Sequence, residues 1–212
     1  MQYFRAAADR KGATMGEATQ RARAYGEAKA GLFAGLADPQ SHAVATAAIQ
    51  LFERFVLPNR YTGGCYLTTM FLHRYLADER GIITVPVVGY VNDGTDDIMI
   101  SHAWNEYQGR KVDITLNLVD PQISLSGDLL VLDHALRPGR AVYSYHAALN
   151  AAGEAANAAI ESGGGFPAQL LRHKQAEHEG IVAKMAQPAL MVQHQALAPP
   201  GLRYADMRAH LD

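Results

Sequence analysis

SHAWNEYQGRKVDIT, residues 101–115, predicts a β-hairpin whose two-residue loop is Gln108–Gly109. A loop of this length makes Tyr107 pair with Arg110, and the first pair fixes all the others. Side chains alternate between the two faces of a strand, so residues of one parity share a face. The predicted register therefore brings four side chains to one face: His102, Trp104, Asp113 and Thr115.

A histidine and a carboxylate are neighbours on this face. Asp113 is the diagonal neighbour of His102, within reach of a hydrogen bond. A carboxylate in this position accepts the imidazole N–H, fixes the tautomer and stabilises the imidazolium once the ring has taken up a proton. Asn117 is the other diagonal neighbour and the second candidate for this orienting role.

The one cysteine of the chain, Cys65, is predicted to lie in the first turn of a helix. The unpaired backbone N–H groups at a helix start carry partial positive charge, which favours thiolate over thiol and can hold an oxyanion. The preceding pair Gly63–Gly64 allows a tight approach to the helix and leaves the backbone open to a substrate carbonyl. Cys65, His102 and Asp113 then supply a nucleophile, a base and an orienting carboxylate.

The rest of the chain predicts an α+β fold around these two motifs. Asp38 and Pro39 begin a core helix that ends at Pro58, because aspartate caps free N–H groups and proline gives up a donor that has no partner there. A second helix is predicted over 65–80, with Gly81 as its cap. Patterns of period two then predict four strands, over residues 83–91, 98–107, 110–119 and 127–132.

Three segments follow from these elements. Residues 1–37 are predicted to be helical and to lie on the surface or pack loosely. Residues 38–140 are predicted to form a core in which an antiparallel sheet packs against the helix that begins at Cys65. Residues 141–212 are predicted to be helical and to pack on this core. Pro86 cannot donate to a neighbouring strand, so the first strand is expected to lie at an edge or to carry a bulge.

Composition and charge exclude several classes of protein. The 212 residues suffice for one domain with its own core, and 49% hydrophobic against 19% charged residues is typical of a globular protein. The formal net charge of -2 predicts no surface for nucleic acid or anionic membranes. No apolar run approaches the roughly 18 residues that span a bilayer, and no secretory leader is visible, so a cytoplasmic protein is expected. A single cysteine excludes an internal disulfide and a thiolate zinc cluster.

Three further patterns predict no function. His173 and His178 are five residues apart, which does not place both on one face of a helix, and a solvated polar helix is expected there. The glycines at 163–165 lack the Lys-Ser/Thr ending of a phosphate-binding loop and predict a linker. A turn rather than a calcium loop is predicted by the spacing of three acidic residues, Asp93, Asp96 and Asp97. Neither a metal nor a cofactor is expected.

The two motifs resemble a known superfamily. GGCY at residues 63–66 resembles the G-x-C-[WY] nucleophile turn of papain-like enzymes. HAW at 102–104, followed by VDIT at 112–115, resembles the HAW…D-x-T segment of the transglutaminase-like superfamily. The resemblance covers the middle of the chain. It implies a papain-like α+β core with a thiolate nucleophile at Cys65, a base at His102 and an orienting carboxylate.

Two branches of this superfamily are disfavoured. The calcium-binding acidic cluster and flanking β-sandwich domains of the large transglutaminases cannot be recognised, so protein cross-linking is not expected. The R-G-G-R-C turn of arylamine N-acetyltransferases is replaced by YTGGC at residues 61–65. The superfamily includes transglutaminases, peptidases, amidases and inactive domains, so the resemblance implies a chemistry and not a substrate.

A donor upstream of the cysteine often completes the oxyanion hole in papain-like enzymes. Tyr61 is the favoured donor, with Asn59 and Gln50 as alternatives, and Trp104 forms either a wall of the cleft or part of the core. The candidates for contact with the substrate or the oxyanion are Tyr61, Gly64, Trp104 and Asn117.

The expected activity is hydrolysis of a peptide or amide bond through an acyl-enzyme at Cys65. Hydrolysis is favoured over transfer because the sequence shows no pocket for a second acceptor. The alternative is a binding or scaffolding domain that keeps the fold without turnover. Helices at both ends of the chain also suit a homo-oligomer.

Overall fold

The computed structural model describes residues 15–120 and 124–212, so the first part of the predicted N-terminal segment lies outside the described residues. Helices and antiparallel strands both form, which confirms the α+β class. The helices are α1 (Met15–Gly35), α2 (Pro39–Leu51), α3 (Cys65–Arg80), α4 (Ala151–Gly163), α5 (Gly165–Met185), α6 (Pro188–Ala196) and α7 (Tyr204–Arg208). The strands are β1 (Val85–Asn92), β2 (Ile100–Tyr107), β3 (Arg110–Asp113), β4 (Leu129–Val131), β5 (His134–Arg137) and β6 (Ser144–His146).

Local signals at the helix ends are confirmed. The Asp38 side chain accepts hydrogen bonds from the backbone N–H groups of Gln40 and Ser41, and so caps α2. A π-helical turn over Phe52–Val56 continues α2 toward Pro58. Gly81 ends α3 in the left-handed conformation that glycine adopts without strain.

The six strands form one antiparallel sheet in the order β5-β4-β3-β2-β1-β6. The β2–β3 hairpin has the predicted register, with Tyr107 opposite Arg110 and Glu106 opposite Lys111. Asn105 holds this hairpin to α3 from the other face, since its Nδ2 donates to the Thr69 carbonyl oxygen at 3.0 Å. The sheet therefore presents His102 and its neighbours from a strand that is fixed to the helix of Cys65.

β3 ends at Asp113 and not at residue 119 as predicted. The cause is the Asp113 side chain, whose Oδ1 accepts hydrogen bonds from the backbone N–H groups of Thr115 and Leu116 and turns the chain out of the sheet. The expected pairing of Thr115 with His102 is therefore wrong.

Two predictions on the outer part of the sheet need correction. β1 is not an edge strand over its whole length, because β6 pairs with its last three residues, Tyr90–Asn92. Pro86 lies in the part of β1 that β6 does not reach, where a missing donor is tolerated. β6 itself lies within residues 141–212, which were predicted to be helical.

One hydrophobic cluster joins residues from all three predicted segments. Leu32 of α1, Phe71 of α3 and Met207 of α7 are fully buried in it. The second half of α1 therefore packs into the core, while residues 16–24 are exposed as predicted. Within the described ranges, no helix combines the length and the apolar character that crossing a bilayer requires.

Candidate active site

The first turn of α3 carries Cys65 on a tight approach that depends on glycine. Gly63 has a φ of 69°, a region that side-chain-bearing residues rarely adopt. Gly64 is the N-terminal cap of α3, and a Cβ at this position would overlap the Tyr61 ring. Cys65 is the first helical residue and is partly exposed. As the first helical residue, Cys65 has a backbone N–H with no acceptor within the helix.

Gly64→Ala is expected to destabilise the protein and to displace Tyr61. Overpacking of this kind costs about 1–3 kcal/mol of unfolding free energy, which urea unfolding would measure. Gly31→Ala is the matched control, since it adds a methyl group in open space on α1 and is expected to stabilise by up to about 1 kcal/mol. Equal stabilities of Gly64→Ala and the native chain would contradict this account of the turn.

His102 and Asp113 form the contact that the hairpin register predicts. His102 Nε2 and Asp113 Oδ2 are 2.6 Å apart, and both residues are buried. Because Nε2 faces the carboxylate, Nδ1 is the ring nitrogen left for a second partner. The Cys65 sulfur lies close enough to act on this ring, since it is among the groups that raise the pKa of His102.

The charges at the site favour an imidazolium. Burial by itself lowers the pKa of His102, but Asp113 and the Cys65 sulfur outweigh burial and raise this pKa above its ordinary value. For Asp113, burial has the opposite effect and raises the pKa of the carboxyl group. The charge of His102 and the hydrogen bonds from His102, Thr115 and Tyr145 outweigh burial, so the pKa of Asp113 is below its ordinary value. A buried carboxylate thus faces a ring that holds its proton.

Tyr145 is a site residue that the sequence did not reveal. Its hydroxyl donates to Asp113 Oδ2 at 2.9 Å, the same oxygen that faces His102. Tyr145 lies in β6, next to β1 and far in sequence from Asp113 in β3. A short strand in an Ala-rich segment, whose partner strand is about 50 residues away, leaves no local signal for this contact.

Trp104 is a buried neighbour of the histidine and not an open wall of the site. Only 3% of its surface is exposed. Its ring stacks on His102 with the centroids 6.5 Å apart and meets Tyr145 edge-on at 5.1 Å. Its Nε1 donates to Glu106 Oε1 at 3.0 Å, which satisfies the polar atom of the indole.

The oxyanion candidates occupy different places. Tyr61 lies beside the turn that precedes the thiol, because its ring occupies the space that a Cβ on Gly64 would need, and this ring packs edge-on against Phe55. Burial and the charge of the Cys65 sulfur raise the pKa of its phenol. Asn59 donates instead to the Phe55 carbonyl oxygen. Asn117, the second candidate for orienting His102, donates to the carbonyl oxygens of Gly127 and Arg137 and is committed there.

The patterns set aside in the sequence have two different outcomes. The acidic turn is confirmed, because Asp93 and Asp96 accept hydrogen bonds from the backbone N–H groups of Thr95 and Ile98. The helix of His173 and His178 is mostly exposed as predicted, but His178 itself is half-buried, stacks on Tyr90 and bonds to Ser101. Among the residues that the structure describes, no three His, Cys, Asp or Glu side chains are grouped as a metal ion would need.

Comparison of the chain with protein-family models, curated proteins and solved structures finds no match. The site itself brings together a partly exposed cysteine, a buried histidine ring and a buried carboxylate that contacts this ring.

Proposed function

We propose that the protein is a thiol-dependent acyl-transfer enzyme of the transglutaminase-like superfamily, and that α3 and the sheet form a papain-like core. One observation carries the proposal: the buried His102 ring contacts the Asp113 carboxylate through Nε2, and the Cys65 sulfur is near enough to raise the pKa of the same ring. A sulfur at a helix start, beside a ring that holds a proton, is the arrangement in which a thiolate persists at neutral pH.

In the first half of the proposed reaction, the Cys65 thiolate attacks the carbonyl carbon of an amide and forms a C–S bond. The carbonyl electron pair moves to the oxygen, and the proposed donors to this oxygen are the Cys65 N–H and the Tyr61 hydroxyl. The C–N bond then breaks as His102 Nδ1 gives its proton to the leaving nitrogen. An amine departs and the acyl group remains on sulfur.

In the second half, neutral His102 takes a proton from water through Nδ1 as the water oxygen attacks the acyl carbon. The C–S bond breaks, a carboxylic acid leaves, and the thiolate and imidazolium are restored. Asp113 keeps its charge throughout and holds the ring in the tautomer with a proton on Nε2. An amine in place of water would give transfer instead of hydrolysis by the same steps.

A carboxylic ester with a coloured leaving group tests this proposal. With p-nitrophenyl acetate, the native chain should release about one equivalent of nitrophenol rapidly and then continue at a steady rate, because a covalent intermediate forms and turns over. Intact-mass spectrometry should show an acetyl group on Cys65 during turnover. Cys65→Ala should lose both the rapid release and the adduct.

Two results would contradict the proposal. Steady release at the native rate by Cys65→Ala would place the chemistry elsewhere. Stoichiometric acetylation that is never followed by turnover would support the alternative, a binding or scaffolding domain that retains the fold.

A further inference from the structure

A hydrogen bond joins the chain neighbours of the nucleophile and the base. Tyr66 follows Cys65 in the first turn of α3, and Ser101 precedes His102 in β2. Tyr66 Oη and Ser101 Oγ are 2.7 Å apart. The bond therefore ties the end of α3 that carries the thiol to the end of β2 that carries the ring.

A third side chain from the C-terminal part of the chain completes this connection. His178 of α5 places its Nδ1 2.5 Å from Ser101 Oγ. The ring is fixed on its flat side by Tyr90 of β1, which stacks on it with the centroids 4.5 Å apart. A serine hydroxyl has one proton and two lone pairs, so Ser101 can satisfy Tyr66 and His178 at the same time.

The hydroxyl of Tyr66 also lies in the electrostatic environment of the nucleophile. Burial raises the pKa of Tyr66 to about 12, and the charges of the Cys65 sulfur and of Glu177 contribute in the same direction. Burial lowers the pKa of His178, which favours a neutral ring at neutral pH. The connection thus consists of neutral groups and brings no second charge to the thiol.

This connection lies at one end of the α3–β2 contact and is separate from the bond that holds the other end. Asn105 Nδ2 donates to the Thr69 carbonyl oxygen in the buried part of the same contact. Loss of the Ser101 connection should therefore leave α3 on the sheet and loosen only its first turn.

From this geometry we infer that His178 is a positioning residue: through Ser101 and Tyr66 it sets the distance between the Cys65 sulfur and the His102 ring. The inference rests on the proposed function. It gives a role in the site to α5, a helix that lies outside the predicted core over residues 38–140. No proton needs to pass along the three side chains for this role.

The test compares His178→Ala with His173→Ala, an exposed histidine on the same helix. The measurement is the rate of Cys65 alkylation by iodoacetamide between pH 5 and pH 9. One hydrogen bond of ordinary strength corresponds to a factor of about 3 to 10, so His178→Ala should react about 3- to 10-fold more slowly at pH 6, with its profile shifted to higher pH. His173→Ala should follow the native profile, and His178→Asn, which keeps a polar atom at the Nδ1 position, should recover most of the rate.

A double-mutant cycle decides whether His178 acts through Ser101. Ser101→Ala should slow alkylation to the same extent as His178→Ala, and the double variant should be no slower than Ser101→Ala alone. The inference is overturned if the reductions in alkylation rate of the two single variants multiply in the double variant. It is also overturned if Ser101→Ala keeps the native profile, a result that does not depend on whether His178→Ala folds.

The same profiles separate this inference from the proposed function. A native profile that His102→Ala does not change would overturn the proposed function, and the positioning role with it. A native profile that depends on His102 but is identical in His178→Ala would overturn the positioning role alone.

Discussion

His102→Ala is expected to reduce the rate of Cys65 alkylation at pH 6 by about 100-fold or more. An isolated thiol has a pKa near 8.5, so only about 0.3% of it is thiolate at pH 6. In the proposed mechanism the imidazolium of His102 stabilises the Cys65 thiolate. Because the pKa of His102 is raised by Asp113 and the Cys65 sulfur despite its burial, the ring keeps this charge through neutral pH. The native profile should therefore extend well below pH 7, and the measurement is the second-order rate with iodoacetamide over pH.

His73→Ala is the control for this substitution. His73 lies on α3 with Cys65, but its Nδ1 bonds to Thr84 Oγ1 at 3.1 Å. Burial lowers the pKa of His73, so it carries no charge that could support a thiolate at neutral pH. His73→Ala should keep the native profile. A native chain that reacts only above about pH 8, as a simple thiol does, would remove the basis for the ion pair.

The site follows from the sequence where it depends on local geometry. The register of the β2–β3 hairpin is fixed by the length of its loop, so the contact between His102 and Asp113 could be predicted by counting residues. The start of α3 at Cys65 could be predicted in the same way, from Gly63–Gly64 before it and the apolar spacing after it.

The residues that local geometry does not fix were missed. Tyr145 reaches Asp113 because β6 adds to the sheet beside β1, a long-range pairing that no pattern within β6 encodes. His178 sits on a helix that is polar over most of its surface, and only the packing of α5 on β1 shows that its ring is half-buried. The pattern of residues 114–119 favours a longer β3, but the Asp113 side chain forms a turn that ends the strand at residue 113.

Asp113→Asn is expected to lower the free energy of unfolding by about 3–5 kcal/mol at pH 6. The substitution keeps the shape of the side chain but removes its charge from a site where His102 is buried. The new amide nitrogen cannot accept the hydrogen bonds that Oδ2 accepts from His102 and Tyr145, so buried donors lose their partner. Urea unfolding of the native and variant chains measures the difference.

The pH dependence of this difference has a defined sign. The pKa of Asp113 is lower in the folded state than in the unfolded state. Its contribution to the free energy of unfolding is therefore complete above the ordinary carboxyl pKa of about 3.9 and is lost as the pH falls through the pKa of the folded state. The pKa of His102 is higher in the folded state than in the unfolded state. Its contribution to the free energy of unfolding is therefore complete below the ordinary imidazole pKa of about 6.5 and is lost as the pH rises through the pKa of the folded state. The stability difference between native and variant should therefore be largest between about pH 4 and pH 6.5 and should shrink on both sides.

Asp128→Asn separates this effect from the loss of a carboxylate that accepts a backbone hydrogen bond and, among the described residues, faces no histidine. Asp128 Oδ1 accepts a hydrogen bond from the Gly139 N–H at 2.7 Å, and an asparagine oxygen can accept the same bond. This control substitution should lower the free energy of unfolding by less than about 1 kcal/mol at any pH between about 4 and 6.5. If the loss of stability in Asp113→Asn is equally small and independent of pH, no ion pair exists between His102 and Asp113. The ring would then be neutral in the folded chain, and Cys65 would have to be activated by the helix start alone.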